Sequence, residues 1–198
     1  MSEPLIIDLF AEDRAHQDLL APLVERVARA EGKRVRLRVR SARGGHGAAT
    51  TALKVYQQTL LAGIGGGVPD LLIAAVDANC RPATRARRRI VTALMPEFAD
   101  LCIPACPDPH IERWYLADLQ AFHEVVGKRP SVPKAKCERD LYKQILAQAV
   151  LDAGHPTMLG GIEFARELAE AMDFERAGKS ARSLKRFVDE LRAGLRRA

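Results

Sequence analysis

The apolar positions in the first half of the chain follow two different periods, which predicts strands that alternate with helices. Residues 5–10 form a short apolar run that is typical of a buried strand. Leucine and valine then recur at spacings of three and four through residues 19–27, which predicts a helix that ends at Gly32. Residues 33–40 alternate strictly between basic and aliphatic side chains, so they predict a strand with one arginine face and one apolar face. Residues 70–76 are typical of a central strand.

The order of these segments predicts the fold class. Strands separated by helices are expected to form an α/β fold in which a mostly parallel central sheet is flanked by helices. Residues 98–103 are a candidate for a further strand, whereas the chain beyond residue 128 has a mostly helical pattern. We therefore predict an α/β core at residues 1–127 and a helical C-terminal extension at residues 128–198 that packs on it. Right-handed crossovers bring the carboxyl ends of parallel strands to one edge of the sheet, where open sheets bind ligands.

Composition and charge narrow the class of protein. The 198 residues are 47% hydrophobic, which suffices for a sizeable core. No apolar run approaches the ~20 residues that span a bilayer, and residues 1–13 lack the basic start of a signal peptide. The four cysteines are irregularly spaced, so we expect reduced structural thiols in a cytoplasmic protein, with a zinc site as the minor alternative. A net charge of +6 and a pI of about 9.4 favour polyanionic partners.

Polar side chains that carry metal-ligand atoms follow two of the predicted strands. Glu12 comes after the first apolar run, and His16 follows it by about one helical turn. Asp77 and Asn79 come after the central strand as Asp-Ala-Asn. A loop with a double glycine, Arg43-Gly44-Gly45, lies between these motifs in the chain. Because the carboxyl ends of parallel strands share one edge, we expect Glu12 and Asp77 to lie close together.

Together these motifs resemble the TOPRIM domain, the metal-binding fold shared by topoisomerases, primases and the overcoming-lysogenisation-defect (OLD) nucleases. In that family a glutamate ends the first strand and an Asp-x-Asp ends a later one. Residues 109–116, Pro-His-Ile-Glu-Arg-Trp-Tyr-Leu, resemble a short helix start in the small stand-alone RloB-like proteins, and Arg43-Gly44-Gly45 resembles their double-glycine loop. The helical tail at residues 161–195 is also similar to theirs, so the resemblance covers most of the chain.

The resemblance implies a metal-dependent nuclease that hydrolyses phosphodiester bonds of DNA or RNA. It implies Mg²⁺ or Mn²⁺, with candidate ligands Glu12, His16, Asp77, Asn79 and Glu112. The candidate catalytic residues are Glu12, Asp77, Glu112 and Arg43. Glu12 would act as a ligand or a general base, and Arg43 or another nearby arginine would stabilise phosphate charge. The resemblance further implies an ATPase partner and a role in anti-phage defence. The lack of a long apolar run predicts no membrane association, and a homo-oligomer is left open.

Two departures from the family pattern favour a second hypothesis. Asn79 stands where the family has an aspartate, and His16 stands where the OLD nucleases often have a glutamate. An imidazole shifts metal preference from Mg²⁺ toward Mn²⁺ or Zn²⁺. The alternative is therefore a catalytically degenerate subunit that binds nucleic acid or an ATPase. Simpler roles are also open, namely Glu12 near a helix start, Asp77 as a cap or turn residue, and Glu112 paired with Arg113 or a neighbouring lysine.

Two arginine-rich segments are candidates for binding phosphate. One is the arginine face of residues 33–40, and the other is residues 81–89, which come directly after the Asp-Ala-Asn motif. Each is either a phosphate-binding surface or a solvated, salt-bridged face. No aromatic residues interleave with them, so base stacking is not indicated. Trp114 and Tyr115 are expected in the hydrophobic core.

Overall fold

A parallel sheet forms the centre of the molecule. The computed structural model describes residues 3–42, 49–133, 137–138 and 140–198. The strands in that part of the chain are β1 (Leu5–Ala11), β2 (Val35–Ser41), β3 (Leu71–Ala75) and β4 (Cys102–Ala105). They lie in one sheet in the order β2-β1-β3-β4, and each pairing is parallel. The predicted α/β class with a parallel central sheet is confirmed.

Helices cover both faces of this sheet. In chain order they are α1 (Arg14–Ala30), α2 (Ala49–Leu61), α3 (Ala83–Val91), α4 (Glu112–Tyr115), α5 (Leu119–Val126), α6 (Leu141–Asp152), α7 (Ala165–Ala171), α8 (Phe174–Ser180) and α9 (Arg182–Arg197). Helices α2 and α3 pack on the face that carries Phe10 and Leu72. Helix α1 and the helices from α4 onward cover the face that carries Leu9 and Ile73. Within the described ranges, no helix is both long and apolar enough to cross a bilayer.

The sequence of α1 explains where that helix begins and which face it buries. The side chain of Asp13 caps the helix by accepting a hydrogen bond from the backbone N–H of His16 at 3.0 Å. Gly32 follows the helix with a φ of +68°, a left-handed conformation that favours glycine. The buried stripe consists of Leu19, Leu20, Leu23, Val24 and Val27. This stripe faces the sheet. The start of α1 lies at the carboxyl edge of β1 because the helix follows that strand directly.

The helices after residue 128 share a hydrophobic core with the sheet. The ring of Phe187 in α9 stacks on Trp114 with 5.5 Å between the ring centroids. Trp114 and Tyr115 are fully buried, which confirms that they belong to the core. One hydrophobic cluster therefore extends from Ile7 of β1 to Leu195 of α9.

The arginine face of β2 is partly internal. Arg38 forms an ion pair with the fully buried carboxylate of Asp8, in which Nη2 donates to Oδ2 at 2.8 Å. Arg38 also donates to the carbonyl of Gly66 at 2.6 Å, and Arg40 donates to the carbonyl of Gly65 at 3.0 Å. These two arginines hold the glycine turn that precedes β3, so they are structural and not part of a solvated row.

The cysteines differ from the expectation of reduced thiols. Cys80 and Cys137 form a disulfide with 5.4 Å between their Cα atoms, whereas Cys102 and Cys106 are free. The prediction is therefore wrong for the first pair. The two bonded cysteines are 57 residues apart, and their spacing along the chain gives no sign that the fold brings them together.

Candidate functional site

The carboxyl edge of the sheet brings together the residues that follow β1 and β3. The backbone N–H of Glu12 donates to the carbonyl of Ala75 at 3.2 Å, which continues the pairing of the two strands. The carboxylate of Glu12 in turn accepts a hydrogen bond from the backbone N–H of Asp77, with 3.3 Å between N and Oε2. Glu12 and Asp77 therefore lie side by side.

The segment after β4 extends this edge. The backbone N–H of Ala78 donates to the carbonyl of Pro107 at 2.8 Å, and that of Asn79 donates to the carbonyl of Pro109 at 2.9 Å. This pairing leads the chain to His110 and then to Glu112, the first residue of α4. The segments that follow β1, β3 and β4 therefore meet at one edge of the sheet. Open parallel sheets bind ligands at this edge.

His16 is fully buried between two carboxylates. Its Nδ1 lies 2.7 Å from Oδ1 of Asp13, and its Nε2 lies 3.1 Å from Oδ1 of Asp77. The second pair of atoms is in ion-pair contact, although within the described residues neither atom is aligned for a hydrogen bond. Burial opposes a charged imidazole, but the contacts with Asp13 and Asp77 outweigh it and raise the pKa of His16 to about 10. His16 is therefore a buried imidazolium at neutral pH.

Asp77 is the centre of this cluster. Its second oxygen, Oδ2, lies 3.3 Å from Nδ1 of His110, and its side chain is only 13% exposed. Burial opposes the charge on Asp77, but the contacts with His110 and His16 outweigh it and lower the pKa of this carboxyl. The contact with Asp77 raises the pKa of His110 in turn. Asp77 is therefore an ionised carboxylate held between two imidazoles.

Glu112 adds another carboxylate to the same edge. Burial raises the pKa of Glu112, and the negative charge of Asp77 adds to that effect. Arg113, which was a possible partner for Glu112, donates instead to the hydroxyl of Ser180 at 2.7 Å and to the carbonyl of Leu116 at 3.2 Å. The raised pKa of Glu112 therefore reflects its burial first and the nearby charge of Asp77 second.

The structure describes Asn79, one of the two remaining predicted residues, but not Arg43. Asn79 lies in the left-handed region with a φ of +50°, and its side-chain N–H donates to the carbonyl of Asp77 at 3.3 Å. Asparagine adopts this conformation more readily than most residues, so Asn79 shapes the turn after β3. Arg43 lies outside the described residues together with the double glycine at residues 44–45. The assignment of Arg43 remains a prediction from the sequence.

The donors at this edge fit a hard divalent cation by their chemistry but are not arranged as a preformed metal site. Glu12, Asp77 and Glu112 supply carboxylate oxygens, and Asn79 supplies an amide oxygen. Within the described residues, no three His, Cys, Asp or Glu side chains converge closely enough to hold a metal ion. Asp77 is directed toward His16 and His110, so cation binding requires this carboxylate to rotate away from them.

The sequence does not identify Asp13 and His110 as members of this cluster. Asp13 has a recognisable signal as a helix cap, because it precedes the apolar stripe of α1. The signal for His110 is weaker, since a histidine before a helix is also a capping residue by sequence. The contact of His110 with Asp77 depends on the pairing of the segment after β4 with the segment after β3, which the sequence does not indicate.

Comparisons with protein families, with curated proteins and with solved structures found no match for this chain. The fold and the site therefore define the protein as a parallel α/β protein with a carboxylate–imidazole cluster at the carboxyl edge of its sheet.

Proposed function

We propose that the protein is a metal-dependent nuclease of the TOPRIM type, with its active site at the carboxyl edge of the sheet. The observation that carries the proposal is the contact between the carboxylate of Glu12 and the backbone of Asp77, which joins the ends of two central strands. Glu112 lies near them with a raised pKa, caused first by burial and then by the charge of Asp77. Carboxylates with perturbed pKa values at such an edge are suited to Mg²⁺ or Mn²⁺.

In this proposal Glu12, Asp77, Asn79 and Glu112 hold the cation. When bound, the cation would stabilise the charge that develops on the phosphoryl oxygens. Glu12 either completes the ligand set or accepts a proton from the attacking water. His16 and His110 act as positioning residues, because they contact both oxygens of Asp77. The assignment of His16 as a ligand is replaced here, since a buried imidazolium has no free nitrogen lone pair to offer a metal.

The biological setting rests on the resemblance to RloB-like TOPRIM proteins. That resemblance supports an ATPase partner and a role in anti-phage defence. The net charge of +6 supports a polyanionic substrate, which agrees with DNA or RNA. Co-purification of a tagged chain from its native cells, followed by identification of bound proteins, tests whether an ATPase is present.

Cleavage assays test the proposed activity. Purified protein is incubated with plasmid DNA, single-stranded DNA and total RNA, each with Mg²⁺ and with Mn²⁺. Replacing Glu12 by glutamine should reduce cleavage at least about 100-fold, because it removes a ligand or base from the site. Glu97→Gln changes an exposed carboxylate elsewhere and should cleave like the wild type. Cleavage that persists in Glu12→Gln contradicts the proposed site.

A second candidate function is a non-catalytic subunit that binds nucleic acid or an ATPase. It is favoured by the ion pairs of Asp77, because the imidazolium of His16 already supplies the positive charge that a cation would bring. Calorimetric titration with Mn²⁺ and with Mg²⁺ separates the two functions. Binding in the wild type that is lost in Asp77→Asn supports the nuclease. Absence of metal binding in the wild type supports the non-catalytic subunit.

A further inference from the structure

A row of exposed arginines begins beside the candidate site and continues along α3. Arg81 is four residues beyond Asp77, and its backbone N–H donates to the carbonyl of Ala78 at 3.1 Å. Arg85 and Arg88 lie within α3 three residues apart, which places their side chains on one face of that helix, whereas Arg81 precedes the helix. All three arginines are exposed. We call these three residues the α3 arginine row.

The neighbouring arginines of the same segment have partners inside the protein. Arg87 forms an ion pair with Glu190 of α9 at 2.7 Å, and the guanidinium of Arg89 lies 3.5 Å from the hydroxyl of Thr50. Within the described part of the chain, the α3 arginine row has no carboxylate at ion-pair distance. The positive charge of the row is therefore available to a ligand.

The position of Arg85 within α3 argues against a purely structural role for that residue, whereas Arg88 lies in the last turn. Cations are favourable in the last turn of a helix and unfavourable in the first turn, because of the helix dipole. Arg85 lies in the first turn of α3, which contains no acidic residue. Beside the row is an open basin whose lining residues are Pro82, Thr84, Arg85, Arg88, Arg89 and Thr92. Arginine and threonine side chains supply hydrogen-bond donors, and none of these lining residues is acidic, so the basin suits an anion.

We propose that the α3 arginine row binds the phosphates of a nucleic-acid strand and leads that strand to the carboxyl edge of the sheet. The identity of the ligand as a nucleic acid rests on the proposed function, since arginines bind other polyanions as well. No aromatic side chain is among the described lining residues of the basin, so base stacking is not indicated there.

The other basic surface is not assigned to the strand. Arg38 and Arg40 of β2 are bound to Asp8 and to the carbonyls of the glycine turn, as described above. Phosphate contacts at Arg38 would have to replace its ion pair with the buried carboxylate of Asp8, whereas the exposed arginines of the α3 arginine row have no such pair among the described residues. The two surfaces therefore make different predictions for substitution.

Salt-dependent binding tests the row directly. The affinity of the whole protein for short, fluorescently labelled duplex and single-stranded DNA is measured by anisotropy in EDTA at several salt concentrations. The Arg85→Gln/Arg88→Gln variant should bind more weakly, and its slope of log affinity against log salt for duplex DNA should fall in magnitude by about 1.8. The control is Arg166→Gln/Arg197→Gln, which removes the same charge from exposed positions of α7 and α9. The control should keep the wild-type slope.

The outcomes separate the row from the proposed active site. Equal slopes for the row variant and the wild type overturn the phosphate-binding role. If the control variant loses as much slope as the row variant, the effect reflects net charge alone, which also overturns that role. Since EDTA removes metal, this readout does not depend on cleavage. If Glu12→Gln cleaves like the wild type while the row variant loses affinity, the active-site proposal fails and the row stands. If Glu12→Gln is inactive while the row variant binds normally, the active site stands and the row is wrong.

Discussion

The buried imidazolium of His16 is the main electrostatic feature of the carboxyl edge at the scale of single residues. A charge without solvent is costly unless an opposite charge is close, and Asp13 and Asp77 supply that charge from two sides. The arrangement fixes the start of α1 to the end of β3. It also holds Asp77 in the ionised state, so the charge of the site is set by the fold before any ligand binds.

Replacement of His16 by glutamine should lower the free energy of unfolding by about 3 kcal/mol at neutral pH, because it leaves two carboxylates without their buried cation. Urea denaturation of the purified variant measures the change. His123→Gln, at an exposed position of α5, is the matched control and should unfold like the wild type. An unchanged transition in His16→Gln would mean that the ion pairs do not stabilise the fold.

The stability difference between the wild type and His16→Gln should depend on pH. The pKa of His16 is about 10 in the folded protein and about 6.5 in the unfolded chain. The stabilisation is therefore complete below the unfolded value and is lost as the pH rises toward the folded value. The difference in unfolding free energy between wild type and His16→Gln should shrink between neutral pH and about pH 10. A constant difference over that range would contradict the ionised contact.

Asp118 shows how one buried carboxylate joins secondary-structure elements. It caps α5 by accepting hydrogen bonds from the backbone N–H groups of Gln120 and Ala121 at 3.2 Å each. It also accepts from the backbone N–H of Asp173 at 2.8 Å and from Nη2 of Arg176 in α8 at 3.0 Å. Burial opposes the charge, but the hydrogen bonds from Arg176 and the backbone outweigh it and lower the pKa of Asp118.

Substitution of Asp118 by alanine should lower the free energy of unfolding by about 3 kcal/mol at neutral pH, since it removes a buried cap and leaves Arg176 with only its longer ion pair to Asp173 at 3.6 Å. Because the folded-state pKa is lowered, the ionic part of the stabilisation is present above the unfolded value of about 3.9 and is lost as the pH falls through the folded value. Urea titrations at neutral and acidic pH test both statements. Asp100→Ala, at an exposed site, should change neither.

Gly161 permits the segment before α7 to approach α6. Its φ is +97°, and an added Cβ would lie 2.8 Å from backbone atoms of Leu146 and Ala147. Gly154 has a similar φ of +84°, with nothing within 4 Å of an added Cβ. Gly154→Ala should therefore cost about 1–2 kcal/mol of stability from backbone strain alone. Gly161→Ala should cost clearly more, and equal denaturation midpoints for the two variants would disprove the close approach.

The elements that the sequence predicts best are those with a strong apolar signal. The runs at residues 5–10 and 70–76 are the strands Leu5–Ala11 and Leu71–Ala75. The run at residues 98–103 is a poorer guide, because Pro96–Phe98 forms a 3-10 turn and the strand is Cys102–Ala105. Helix α4 has only 4 residues and α5 only 8, so neither shows enough of a helical period to be located from the sequence.

The candidate site is predictable to the extent that it depends on backbone topology. Parallel strands end at one edge, so the order of the elements places Glu12 and Asp77 at the same edge, and the pairing of β1 with β3 makes them neighbours. The contacts of His16 and His110 with Asp77 depend on side-chain rotamers and on the path of the segment after β4. Neither leaves a periodic signal in the sequence.

The disulfide acts at the scale of the whole molecule, because it closes a loop between residues 57 positions apart. Such a crosslink restricts the unfolded chain, and removing it should cost about 4 kcal/mol in the chain-entropy account. The Cys80→Ser/Cys137→Ser variant should therefore unfold at lower urea than the wild type. The wild type in excess reductant should approach the variant, while the variant itself should not respond to reductant. Identical midpoints for variant and oxidised wild type would show that the crosslink contributes nothing to stability.

The placement of β1 inside the sheet has a consequence during synthesis on the ribosome. Leu9 lies opposite Val39 on one side and opposite Ile73 on the other. At translation rates of about 5–20 residues per second, β1 waits roughly 3–13 s for its second neighbour to be made. Over that interval the backbone groups on one side of the apolar strand β1 have no strand to pair with. We therefore expect chaperones that bind emerging polypeptides to bind the nascent chain. Chains released before β3 is translated should aggregate.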